Sequence, residues 1–137
     1  MQRGINHIGI AVKSISEALP LYEDVFGMIN EGEEIVPSQK VRVAFLSAGN
    51  TRIELLEPLD GTSAIAKFIE TKGEGIHHIA LEVSSIKDRI AELKEKGLQL
   101  IDEEPRPGAH HTEVAFIHPK SVHRVLVELC EKPKREE

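Results

Sequence analysis

Two histidines and two glutamates in this chain recur in phase, and their types suit metal or acid–base chemistry. His7 stands in the segment Asn6 to Val12, NHIGIAV, and His78 takes the same place in Gly73 to Val83, GEGIHHIALEV. Successive side chains of a strand point to opposite faces. Ile8, Ile10 and Val12 therefore form one aliphatic face, answered by Ile79, Leu81 and Val83. The other face carries His7, Gly9 and Ala11 in the first segment and His78, Ala80 and Glu82 in the second. A histidine followed by a small residue marks a pocket rather than a core. Parity in two later segments, TRIELLEP and VLVELCE, makes Glu54 and Glu128 equivalent in the same way. Each is set among aliphatic neighbours, where a carboxylate is costly unless it meets a cation or a full set of donors.

Imidazole nitrogen and carboxylate oxygen suit a borderline divalent metal such as cobalt, nickel, zinc, manganese or iron, and two of each leave coordination positions for water or substrate. Taken singly, a partly buried histidine or an edge-strand glutamate has an ordinary structural explanation. Recurrence in phase does not follow from that explanation, and it is what selects the four. His77 has the opposite parity to His78 and is expected in a hydrogen-bonded structural role. His110, His111, His118 and His123 fall in loops or turns. The sequence contains no GxSxG, GxxxxGK[ST], GxGxxG or CxxC pattern, so the mechanisms those motifs serve have no anchor.

The elements that must position these residues also come twice. After NHIGIAV, Ser14 to Met28 reads as a helix of about three turns, with Ser14 and Glu17 as a capping box and Leu19, Tyr22 and Phe26 at helical spacing. Pro20 is tolerable only near a first turn, which moves the start toward Ser16. After HHIALEV, Ser84 to Gly97 gives a second helix with Ile86, Ile90 and Leu93 on one stripe and Gly97 past its end. Each helix leads into an irregular acidic stretch, Glu31 to Ser38 or Ile101 to Gly108. A strand follows, with Val43-Ala44-Phe45 answering Val114-Ala115-Phe116. Turns at Ala48-Gly49-Asn50 and His118-Pro119-Lys120 precede the last strands. Between the copies, Gly61 to Lys72 reads as a linker helix capped by Thr62 or Ser63, with Ile65, Phe68 and Ile69 inward. The expected fold is α+β: two tandem modules of strand, helix and three strands, forming a curved mixed sheet around a metal site with the helices outside. Module one spans about 5–58, the linker helix about 61–72 and module two about 75–131 of a single domain, 1–137.

At 137 residues, 40% hydrophobic and 29% charged, the chain has the composition of a soluble globular domain. Such a domain buries roughly 68–70% of its unfolded surface. The net charge of −6 argues against nucleic acid as a partner. No apolar run approaches a membrane span, and the N-terminal residues lack a signal-peptide pattern, so a cytoplasmic location is expected. The one cysteine, Cys130, cannot form an internal disulfide and is expected to be a buried small hydrophobe. The charged tail from Lys132 to Glu137 is expected to fray.

The segments HIGIAV, VRVAFL, TRIELLEP, GEGIHHIALEV, EEPRPGA, HPKS and VLVELCE together resemble the methylmalonyl-CoA epimerases of the vicinal oxygen chelate (glyoxalase/bleomycin resistance/dioxygenase) superfamily, over about residues 6–131. The resemblance implies a two-module βαβββ fold, a homodimer and one divalent metal ion, often Co2+, with Zn2+, Ni2+ and Mn2+ as alternatives. It also implies interconversion of (2R)- and (2S)-methylmalonyl-CoA. The family's metal ligands carry over to His7, Glu54, His78 and Glu128; the second ligand is glutamine in some members and Glu54 here.

Removing a proton alpha to a thioester needs a Lewis acid for the developing enolate and a carboxylate base on each face of the planar intermediate. The resemblance implies that Glu128 is one base. The other comes, in the best-known members, from the strand before the second ligand. Here that region reads Gln39-Lys40-Val41-Arg42-Val43 and holds no carboxylate. Gln39, Arg42 and Lys120 are candidate substrate contacts, with Arg106 a further cation that could meet a carboxylate or phosphate. Where the family commonly has paired glycines, this chain has His110-His111 and His123-Arg124. Two rival readings use the same fold: a glyoxalase-type isomerase, and a metal-free small-molecule binding protein. A ring-cleaving dioxygenase would want two histidines and one carboxylate, and Glu54 is one too many.

Overall fold

The computed structural model describes residues 2–133. The end of the tail, residues 134–137, lies outside the described residues. Backbone contacts divide the described residues into two units: His7–His77, and a second that joins those before His7 to those from His78 on.

The first unit contains the part of β1 (Gln2–Ala11) that begins at His7, then α1 (Ile15–Pro20), β2 (Ile29–Val36), β3 (Val41–Ser47), β4 (Arg52–Pro58) and α2 (Ala64–Lys72). Its strands run in the order β2-β3-β4-β1, antiparallel except for the parallel pair β1 and β4. The second unit contains the bulk of β5 (Gly75–Val83), then α3 (Ile86–Glu95), β6 (Arg106–Pro107), β7 (Glu113–Ile117) and β8 (Val127–Glu131). Its order is β6-β7-β8-β5, with β5 and β8 parallel. Both units are thus βαβββ modules of one topology with a mixed sheet, and the chain is α+β.

The helices α1 and α3 each cover one face of their own sheet. Ile15, Ala18, Leu19 and Tyr22 pack with Ala44, Leu46 and Leu55 in the first unit. Ile86, Ile90 and Leu93 pack with Ala115, Ile117 and Leu129 in the second. The faces turned away from the helices are left for His7, Glu54, His78 and Glu128.

Two elements differ from their sequence expectation. The first helix is α-helical only over Ile15–Pro20 and continues as a π-helical turn, Leu21–Val25. Pro20 has no N–H to give to the turn before it, and the ladder after it re-forms with the Phe26 amide reaching the Leu21 carbonyl at 3.0 Å. The acidic stretch after that helix is an extended strand, β2, and its irregularity is a register shift between Asn30 and Glu33. The equivalent stretch of the second unit pairs only through β6 and an isolated bridge from Leu100 to Ile117. Ser14 and Ser63 cap α1 and α2 as expected, accepting from the Glu17 and Ala66 amides.

The repeat also includes a pair of caps. Glu57 accepts from the Ile15 amide at 2.8 Å, and Glu131 accepts from the Ile86 amide at 2.7 Å. Each carboxylate meets an orphan donor and the positive end of a helix. Glu57→Ala and Glu131→Ala are each expected to cost about 0.5–2 kcal/mol in urea unfolding, and the glutamine variants, which keep an acceptor oxygen, less. Alanine variants as stable as the wild type would refute the capping role.

Candidate metal and proton-transfer site

In the first unit, parallel pairing sets His7 of β1 opposite Arg52 and Gly9 opposite Glu54 of β4. This diagonal lets the His7 Nδ1 approach the Glu54 Oε2 to 3.2 Å. Both side chains are buried, His7 at 5% and Glu54 at 6% exposure. Phe45 lies directly across from Glu54 on β3. The Arg52 guanidinium sits 5.4 Å from the Phe45 ring centroid, with its Nε 3.5 Å from Glu31.

The second unit builds a matching arrangement. Ala80 of β5 pairs with Glu128 of β8, and the His78 Nε2 lies 3.8 Å from the Glu128 Oε1. Exposure is 4% for His78 and 3% for Glu128. Phe116 lies across from Glu128 on β7 and meets the His78 ring edge-on, with centroids 5.5 Å apart. The Arg106 guanidinium lies over that same phenyl ring at 5.5 Å and reaches Asp102 at 3.6 Å. The sequence shows the repeated phenylalanine. It does not show Arg106 above it, which depends on β6 pairing Arg106 with Val114.

Burying a carboxylate in such a strand costs several kcal/mol unless it is paired and hydrogen-bonded. Each glutamate has an imidazole beside it. Among the described residues, His7, His78 and Glu128 are a set of three buried donors of the kinds that could hold a metal ion.

The remaining sequence candidates are placed elsewhere. Arg42 points to the helix face of β3, opposite in parity to Val43, where it lies 3.9 Å from Glu33 and 3.7 Å from the helix-capping Glu57. Gln39 ends a 3-10 turn, Pro37–Gln39, and Lys120 is exposed on another, Pro119–Ser121. His118 accepts from the Lys120 amide and closes that second turn. His77 packs edge-on against Phe68 at 5.0 Å. Burial, with the Lys72 ammonium nearby, pushes its imidazole down from the usual 6.5 to about 4 and keeps it neutral. Cys130 is buried with Ala80 and Val114. His110, His111, His123 and Arg124 all have positive φ, between 53° and 69°. No described helix is long and apolar enough to cross a membrane.

Comparison with known proteins agrees with this geometry. The family model described as the glyoxalase/bleomycin resistance protein/dioxygenase superfamily matches residues 6–116. An ethylmalonyl-CoA/methylmalonyl-CoA epimerase of Cereibacter sphaeroides is 40% identical over 127 residues, covering 91% of this chain and 95% of that protein. The crystal structure of methylmalonyl-CoA epimerase from Mycobacterium tuberculosis superposes with a TM-score of 0.93 at 38% identity, covering 97% of this chain and 90% of that one. A Streptomyces coelicolor methylmalonyl-CoA epimerase variant in complex with 2-nitronate-propionyl-CoA gives a TM-score of 0.92 at 32% identity, covering 98% of this chain and 100% of that one. With buried histidine–glutamate pairs in both βαβββ units and this similarity along nearly its whole length, the chain belongs to the methylmalonyl-CoA epimerases of the glyoxalase/bleomycin resistance protein/dioxygenase superfamily.

Proposed function

We propose that this protein interconverts the (2R) and (2S) forms of methylmalonyl-CoA by moving the proton on C2. The observation that carries this reading is the in-phase burial of the two pairs, His7 with Glu54 and His78 with Glu128, in a chain of this family.

We assign His7, Glu54, His78 and Glu128 together as the holders of one divalent cation, with cobalt as the first choice. The donor set supports this, since two imidazoles and two carboxylates suit a borderline dication and its charge offsets the two buried carboxylates. When bound, the cation supplies a Lewis acid for the negative charge that develops on the thioester oxygen.

The chain's own residues carry the proton. Glu128 takes it from C2, the C–H electron pair becomes the C1=C2 bond of an enolate as the carbonyl π pair moves onto the thioester oxygen, and a second acid gives a proton to the other face of the planar centre. The phenyl ring of Phe116 beside Glu128 excludes water from this carboxylate, which keeps the base from being spent on solvent. Gln39 and Lys120, both on short turns, offer polar ends to the CoA thioester. Arg42 drops out of this group because it faces α1. The same reading carries a homodimer in a reducing cytoplasm, in keeping with a single buried thiol.

The direct test is to incubate metal-loaded protein with either epimer in deuterated water and follow C2 by NMR. Deuterium should appear at C2 together with the other epimer. A folded, metal-loaded protein that exchanges neither would refute the reading.

His7→Ala, His78→Ala and Glu128→Ala should each lose the cation on dialysis, read by elemental analysis. They should also lose its stabilisation, about 2.7 kcal/mol for a cation at 100 times its Kd. Full occupancy in all three would refute the ligand assignment.

Glu128→Gln keeps a neutral oxygen ligand and should retain part of the metal while epimerisation falls by about 10²–10⁴-fold, the usual contribution of a general base. Wild-type turnover in this variant would remove Glu128 from the proton transfer.

A further inference from the structure

A base fixed on one side of the planar intermediate cannot serve both faces, so epimerisation calls for a second group beside Glu128. The segment Gln39 to Val43 holds no carboxylate. The strand before it does. From the register of the His7–His77 unit we infer that Glu34 of β2 is the second base, an assignment that rests on the epimerase reading above.

The argument starts at the bulge in β2. Ile29 and Asn30 pair with Ser47 and Leu46, and that register, continued without a break, would set Glu34 opposite Arg42 on the helix face. The ladder instead shifts by one residue between Asn30 and Glu33, and Glu34 pairs with Val43. Because strand side chains alternate with period two, a one-residue shift turns every later side chain to the other face. Val43 in turn pairs with Leu56. Leu56 shares its strand face with Glu54 two residues away. The bulge therefore moves Glu34 from the side of Arg42 to the side of Glu54.

Burial along β2 follows the shifted register. Residues from Ile29 to Glu33 are exposed, Glu34 is half-buried, Ile35 is exposed and Val36 is buried. Val43 and Leu56, between Glu34 and the face of Glu54, are 2% and 4% exposed and offer no polar atom from their side chains. Strands two apart lie about 10 Å from each other. Glu34 is thus on the face of the His7–Glu54 pair but too far from it to share a ligand with it.

Glu33 faces Arg42 on the helix side, and Glu57 caps α1 there. Glu31 lies against Arg52. In the second unit, Glu82 accepts from the Asn6 amide and pairs with Lys132, each at 3.2 Å.

In this assignment Glu34 takes the C2 proton from one epimer and Glu128 takes it from the other, and each base in its protonated form returns a proton to the face it serves. The test is Glu34→Gln in metal-loaded protein, with each epimer supplied separately in deuterated water. Metal content and the Kd for the CoA thioester should match the wild type, and epimerisation should fall by about 10²–10⁴-fold. C2 exchange should persist from one epimer and collapse from the other, with Glu128→Gln showing the reverse preference. Glu34→Asp should recover part of the lost exchange, and Glu33→Gln should leave turnover unchanged. Unaltered exchange from both epimers in Glu34→Gln, or equal loss from both with metal retained, would overturn the assignment. Failure of the wild-type protein to exchange either epimer would instead count against the epimerase reading itself.

Discussion

A carboxylate buried in an aliphatic strand has to be met by a partner whose position is already fixed, and this requirement governs both units of the chain. Glu54 follows Ile53 and precedes Leu55, and Glu128 stands between Val127 and Leu129. Neither can be solvated where it is, and each faces an imidazole instead. The meeting depends on parallel pairing, β1 with β4 and β5 with β8, because that register brings a histidine and a glutamate from different strands onto one diagonal. A slip of one residue would send the glutamate into the helix-covered face and an aliphatic side chain into its place. The apolar packing of Leu55 and Leu129 thus fixes the two carboxylates, since it holds the opposite face of the same strands.

Aromatic rings add a second constraint. Phe45 and Phe116 each lie across the ladder from the buried glutamate and each carry a guanidinium on the ring. The arginines have different origins, Arg52 from the strand that carries Glu54 and Arg106 from the short β6. An exposed guanidinium over a ring contributes on the order of 0.5–1 kcal/mol. Each guanidinium is also held by a carboxylate, Arg52 by Glu31 and Arg106 by Asp102, so ring and acid together fix it beside the phenyl face.

Much of this was legible in the sequence because it rests on parity. His7, Glu54, His78 and Glu128 declared themselves through alternation and repetition, and α3 through its apolar stripe. What the sequence concealed depends on a register or on a competing local interaction. Pro20 reads as a helix-start residue, yet it ends the α-helical part of the first helix because the chain can continue as a π turn. Glu57 and Glu131 look like surface charges at strand ends. Their role as caps was open to inference, since they follow Glu54 and Glu128 by three residues in both copies, but only the fold brings Ile15 and Ile86 to them. The acidic stretch before β3 reads as irregular because its bulge breaks the alternation on which a strand is recognised.

That stretch is also where the two copies part company. Val43 and Val114 are equivalent in the repeat, and their partners on the neighbouring strand are Glu34 in one unit and Arg106 in the other. Positions that match in register therefore hold opposite charges, while the buried histidines and glutamates are retained in both. A repeated scaffold can supply repeated ligands to a cation, which has no handedness. A substrate with one carboxylate and one reacting stereocentre makes unequal demands on the two copies. The copies differ at the partners of Val43 and Val114, at the rim of each sheet, while the buried histidine–glutamate pairs and the packing that fixes them are the same in both.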